Sequence, residues 1–315
     1  MRLSFRSLLR HEAVLAVLMI VALLVLAHQS DRFFTTANIL NQGRLVSELG
    51  LVALTMTFVI VTGGIDLSVG SILGLVAILI GVFWKAGILL PLAVLLAVCV
   101  GGLAGFVNGL IITRFRVPPL ITTLATLALY RGLAEGISES RSVRGYPEYF
   151  YVLGQGEVGG MPTQLWLLLA AMIVAGVVLG RTTFGRATYA VGANETAARF
   201  SGVAVDRTKV LIYTASGLVA GLAGAILVSR VSTTRSDMGM GLELDAITAV
   251  VLGGTSIFGG RGTVAGTVLG LVLIQALRNG LALAGVKGDG TIVVIGFVLI
   301  LAILVTNIFG RDGDG

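Results

Sequence analysis

Residues 62–71 read TGGIDLSVGS, and they lie between two runs of membrane-grade side chains, LGLVALTMTFVIV before them and ILGLVAILIGVFW after. Glycine commonly ends a helix and is costly inside one, so Gly63 and Gly64 close the first run. Asp66 is placed to N-cap the second, its carboxylate accepting from the free N–H groups of the first turn. Ser68 falls inside that turn and Ser71 one turn later on the same face. The segment is therefore a helix–break–helix device. Two readings of it stand. One is a capped turn at the inner membrane surface. The other is a buried Asp66 that gates a path, since an ionisable group at membrane depth is costly and usually functional.

The rest of the chain has the composition of a membrane bundle. Of 315 residues, 56% are hydrophobic and 12% are charged, against roughly 25% charged in soluble domains. That leaves too little polar surface for a water-facing exterior. Apolar runs of about the length a bilayer needs predict ten spans, near 13–29, 46–62, 67–84, 88–112, 119–136, 164–180, 209–229, 244–258, 263–285 and 291–309. The expected architecture is all-α, a polytopic bundle forming one transmembrane domain over 1–315. The fifth and eighth spans are short and the fifth is polar, so each reads as a half-helix or a strongly tilted one.

Arginine and lysine placement sets the orientation. The segment 181–209 holds Arg181, Arg186, Arg199, Arg207 and Lys209, and the N-terminus holds Arg2, Arg6 and Arg10. Both belong inside, which predicts cytoplasmic termini, with 1–12 cytoplasmic, 137–163 periplasmic and 181–208 a cytoplasmic loop. Glycines recur every four residues at Gly101, Gly105 and Gly109, and at Gly262, Gly266 and Gly270. Each series makes a smooth groove for a neighbouring helix. TFVIVTGGIDLSVGSILGLV and TAVVLGGTSIFGGRGTVAGTVLGLV share an apolar run, a Gly-Gly break and a renewed glycine-bearing helix, a pattern of the internal repeats of transporters.

Several patterns exclude chemistry. Cys99 stands alone, so it forms no internal disulfide or cysteine metal site, and His11 and His28 read as interfacial. GQGEVG at 154–159 fits a dinucleotide pattern but is followed by GMPTQLW, with no strand–turn–helix unit around it. No P-loop pattern occurs, and the net charge of +6 follows the topology and does not mark a nucleic-acid patch. No enzyme, cofactor or metal site is expected in this chain.

Blocks along most of the sequence then resemble a known family. GGIDLSVGS with its preceding run, FVNGLIITRFRVPPLITTLATLALYRGLA, AVGANETAARFSGVAVDRTKVLIYTASGLVAGLAGAILVSR and LDAITAVVLGGTSIFGGRGTVAGTVLGLVLIQALRNGLALAGV are similar to ribose-type permeases. These are membrane subunits of ATP-driven bacterial sugar importers. The resemblance implies an inner-membrane permease core with a second copy or paralogue, a cytoplasmic ATPase that binds ATP and Mg, and a periplasmic sugar-binding protein. The outer stretch GISESRSVRGYPEYFYVLGQG resembles permeases assigned to rhamnose or autoinducer-2. Close alternatives are a branched-chain amino-acid permease and, from other classes, an ion-coupled secondary transporter or a membrane scaffold.

Within that reading, TAARFSG at 196–202 resembles the EAA-x-x-x-G coupling motif of import permeases, with Thr196 in place of Glu and Glu195 one residue earlier. Glu195, Thr196, Ala197, Ala198, Arg199 and Gly202 are the candidate ATPase-coupling residues. The alanines are small enough for close docking, and Gly202 can end the helix. In VPPLITTLATLALYRG, Thr122, Thr126 and Tyr130 fall on one helix face, able to hydrogen-bond a passing sugar or, for the threonines, their own helix's carbonyls. Asn108, Gln275 and Asn279 join Asp66 and Ser68 as path candidates, with interhelical hydrogen bonding the simpler role for each amide.

Overall fold

The computed structural model describes residues 31–139 and 141–286, with scattered positions within 17–28 and 290–297. Apart from those positions, the segment 1–12 and the expected spans 13–29 and 291–309 lie outside the described residues. Eleven helices occur among the described residues: α1 Thr36–Val61, α2 Val69–Lys85, α3 Leu90–Arg114, α4 Pro119–Ser138, α5 Glu148–Gln155, α6 Thr163–Arg181, α7 Thr183–Ala193, α8 Glu195–Phe200, α9 Val205–Val231, α10 Leu242–Leu252 and α11 Val264–Leu283. A two-stranded antiparallel hairpin, β1 Glu157–Val158 with β2 Met161–Pro162, is the accompanying sheet. All eight expected spans that fall within the described residues are helices, and α1, α3, α6, α9 and α11 are each long and apolar enough to cross a membrane.

The two short spans resolve differently. α4 is a full 20-residue helix, about 30 Å long, started by Pro118 and Pro119, whose missing N–H is not needed in a first turn. α10 has only 11 residues and covers about 16 Å, so the eighth span is a half-helix.

Both Gly-Gly breaks end their helices by the same device. After α1, Gly63 takes φ +77°, its N–H donates to the Ile60 carbonyl at 2.8 Å, and Gly64 N–H donates to Val59 at 3.1 Å. After α10, Gly254 takes φ +88°, donating to Val251 at 2.9 Å, and Thr255 donates to Val250 at 3.2 Å. These are paired Schellman caps, which consume carbonyls that a membrane interior would otherwise leave bare.

Cross-chain contacts sort the connections into two ends. Thr234 N–H donates to the Val143 carbonyl at 3.0 Å and Arg44 pairs with Glu157, so the 139–162 connection and the start of the 232–241 one share the end where α1 begins, while Ser236 and Met238 to Gly239 run back along α2 to Gly74 and Gly70. At the other end, Gly260 N–H donates to the Val61 carbonyl at 2.8 Å. A Cβ added to Gly192 would fall on that carbonyl and lie 2.5 Å from Gly260 N. The α7–α8 segment, the first break and the 253–263 loop therefore meet.

Helix packing without a hydrophobic drive between helices depends on close approach. The glycine series at 101–109 provides it where α3 crosses α9. A Cβ on Gly101 would sit 2.8 Å from the Gly217 carbonyl oxygen, and one on Gly109 would sit 2.8 Å from Val210 Cα. The 262–270 series does the same for α11, with Gly266 against Gly253 and Gly270 against Ala249. Thr57 and Thr267 add a buried hydroxyl pair at 2.7 Å between α1 and α11. Gly105→Val should lower stability by about 1–3 kcal/mol through overpacking against Tyr213. Gly132→Ala, into open space, should be neutral or raise it by about 0.5 kcal/mol. Thermal unfolding in detergent separates the two.

Candidate functional site

Asp66 is fully buried. It does not N-cap α2, because that helix begins at Val69 with Ser68 in the cap position. The carboxylate turns back one step earlier, accepting from Ser68 N–H at 3.0 Å and Ser68 Oγ at 2.6 Å, and its other oxygen accepts from Ser216 Oγ of α9 at 3.0 Å. Ser71 Oγ donates to the Ser68 carbonyl at 2.8 Å. A surface turn is thus replaced by a buried one, tied to a second helix.

The network widens from there. Asn108 Nδ2 of α3 donates to Ser68 Oγ at 2.8 Å. Tyr130 OH of α4 donates to the Ala104 carbonyl at 3.0 Å and lies 3.4 Å from Asn108 Oδ1. Thr123 Oγ1 donates to the Ile65 carbonyl at 3.0 Å. The four path candidates Asp66, Ser68, Asn108 and Tyr130 therefore form one cluster. Ser216 and Thr123 complete it and were missed by sequence reading, because a serine or threonine among Gly and Ala looks like helix packing.

The hydroxyl face of α4 is turned inward. Thr122 and Thr126 are buried against α2 and α3, and Thr126 Oγ1 donates to its own helix at Thr123 at 3.4 Å. Gln275 and Asn279 are interhelical: Gln275 Nε2 donates to Gln42 Oε1 at 2.6 Å, and Gln42 Nε2 donates to Asn279 Oδ1 at 2.9 Å. A cavity of about 230 Å³ between α1, α6, α7 and α9, walled by residues such as Leu51, Phe58, Val174 and Val219, is almost wholly carbon-lined and suits hydrocarbon rather than a polyol.

A second embedded acid, one the sequence reading did not single out, is held by an ion pair. Glu48 of α1, 3% exposed, accepts from Arg230 Nε of α9 at 2.7 Å. Its charge was visible in SELGLV, but its partner, far along the chain, was not.

The coupling candidate is a six-residue helix, α8. Asn194 caps it, its Oδ1 accepting from Ala197 N–H at 2.9 Å. Gly202, at φ +84°, ends it with Gly202 N–H donating to Arg199 at 3.1 Å and Val203 to Ala198 at 3.0 Å. Arg199 grips Asp206 of α9 through two bonds, 2.6 and 2.9 Å. The hydrogen bonds to that carboxylate hold the guanidinium above its ordinary pKa. Lys209 pairs with Glu195 at 2.5 Å.

These contacts revise the assignments within the motif. Ala198 is buried in a small cluster with Val191 and Val205, so it seats α8 on α7 and α9. Glu195 and Arg199 fasten α8 to α9. Thr196, Ala197 and Phe200 are exposed on α8 beside the ion-paired Glu195 and Arg199. GQGEVG runs from the end of α5 into the hairpin, and Gly154 packs against the Arg230 backbone.

Over residues 38–303 the sequence matches the family described as branched-chain amino acid transport system / permease component. The chain belongs to that family. It is 43% identical to the ribose import permease protein of Bacillus subtilis (strain 168), over 90% of this chain and 89% of the relative. It is 38% identical to the ribose import permease protein of Escherichia coli (strain K12), over 95% and 94%. The autoinducer 2 import system permease protein of Escherichia coli O9:H4 (strain HS) is 35% identical, over 93% and 91%. No solved structure matches this permease. Within it, Glu48→Leu should cost about 3 kcal/mol, since Arg230 is left uncompensated, while adding Arg230→Met should recover much of that loss. Unfolding of the single and double variants in detergent tests the pair.

Proposed function

We infer that this chain is the membrane-spanning permease subunit of an ATP-driven sugar importer in the bacterial inner membrane, without an ATPase site of its own. It would receive a monosaccharide from a periplasmic binding protein and be driven by a separate cytoplasmic ATPase that holds ATP and Mg. A second copy or a paralogue would complete the core, and surrounding lipid would cover the apolar flanks of α3, α4 and α6. The observation that carries the reading is α8, a capped helix clamped to α9 by ion pairs, with its outer face uncovered at one end of a bundle whose relatives are named as import permeases. The arginines of 181–209 support a cytoplasmic position for that end.

Ribose is the first candidate substrate, because relatives named for ribose import match at 43% and 38% identity; a furanosyl autoinducer is the second. The outer-loop resemblance to rhamnose systems carries less weight, since Val143, Tyr146 and Phe150 of that loop are buried in packing. The intact GGIDLSVGS block favours sugar over branched-chain amino acids. The scarcity of embedded acids disfavours ion coupling: Glu48 is neutralised by Arg230, and Asp66 is held by three hydrogen bonds.

Proteoliposomes containing this chain, the ATP-binding subunit and the sugar-binding protein should accumulate labelled ribose only with ATP inside the ATPase-facing compartment. Uptake of leucine, or uptake driven by an ion gradient with this chain alone, would reject the reading. In the same system Ala198→Asp should bury a carboxylate between Val191 and Val205, unseat α8 and reduce uptake at least tenfold, with membrane insertion retained.

A further inference from the structure

Phe200 and Phe258, at 89% and 86% exposure, are more exposed than any other large hydrophobic side chain among the described residues. Both lie at the end where the first break meets the α7–α8 segment. Phe200 closes α8. Phe258 stands at the tip of the loop after α10, in a turn closed by Ser256 N–H donating to the Arg261 carbonyl at 3.0 Å and Gly259 N–H donating to Ser256 at 2.9 Å. The turn therefore presents the ring on ordered backbone. The same loop lies directly against the entrance to α8: a Cβ on Gly260 would sit 3.0 Å from Ala193 Cα.

We propose that the ATP-binding subunit seated on α8 and Phe200 grips this chain at a second point, the 255–262 loop, through Phe258. The proposal rests on the importer reading above. Aromatic side chains are enriched in protein interfaces, and these two are offered by the last residue of α8 and by a turn beyond α10. The apolar side chains turned toward lipid on α3, α4 and α6 instead lie along helix faces. Arg186, Arg207 and Arg261 are exposed at the same end, and no ion pair is assigned to them among the described residues. A partner with apolar pockets and an acidic rim fits this surface. Because Gly260 N–H donates to the Val61 carbonyl, a partner holding Phe258 pulls on the last turn of α1, immediately before the Asp66 break.

The test measures affinity of the cognate ATP-binding subunit for this chain in nanodiscs. Phe200→Ala and Phe258→Ala should each weaken it at least tenfold, and Phe258→Leu should recover part of the loss. Leu89→Ala, at an exposed residue of the opposite end, should leave it unchanged. With Trp84 and Trp166 replaced by Phe, Phe258→Trp should give emission that shifts to the blue when the ATP-binding subunit is added. Wild-type affinity of Phe258→Ala alongside weakened Phe200→Ala overturns the second contact and leaves the importer reading intact. Quenching of Trp emission by brominated lipid, unaltered by the ATP-binding subunit, also overturns it and makes Phe258 a membrane anchor. Failure of the wild-type chain to bind any ATP-binding subunit overturns the importer reading itself.

Discussion

A helix interrupted inside a bilayer has no water with which to satisfy its freed backbone groups, so protein must satisfy them. That requirement organises this molecule around residues 62–68. The Schellman cap consumes the last carbonyls of α1, Thr123 reaches across from α4 to the Ile65 carbonyl, and Asp66 takes the Ser68 N–H. A carboxylate used this way must itself be buried and compensated, which Ser68 and Ser216 accomplish. The need for an embedded acid thus follows from the break, and the break in turn draws α3, α4 and α9 around it.

The second Gly-Gly break repeats the first cap on a shorter helix, and the two meet through the Gly260–Val61 hydrogen bond. Gly192 enters the same junction from the α7 side, where any larger residue would collide with backbone. α8 is fixed to the first turn of α9, and α9 carries Ser216, which holds Asp66. Force applied at α8 therefore reaches the first break by two routes, through α9 and through the Gly192–Gly260 contact. The arrangement provides a mechanical path from the α8 surface to the buried network.

The helical framework was legible because apolar run length and Gly-Gly punctuation are local signals. The eight spans inside the described residues needed nothing else, and the glycine spacing at 101–109 pointed to a packing groove that α9 fills. Partnerships were not legible. Nothing local distinguishes Ser216 from the small residues around it, or pairs Glu48 with Arg230 across 182 positions. The coupling motif was visible as a string, but which side of a six-residue helix faces out depends on Val191 and Val205 flanking it. For that reason the packing of Ala198 against them could not be read from the motif. The hydroxyl series of α4 was read correctly as a face, yet the face turned inward.

The first break, the 253–263 loop and the α7–α8 segment form one junction at the α8 end. It is tested most directly by replacing Ala193 and Gly260 with cysteine in a chain carrying Cys99→Ser. A Cβ on Gly260 would lie 3.4 Å from Ala193 Cβ, close to the separation of about 3.8 Å that a disulfide spans. Mild oxidation in native membranes should link the two cysteines rapidly and within one chain. Failure to link them, or labelling of the two positions by impermeant reagents from opposite faces of the membrane, would contradict the junction and the path of force built on it.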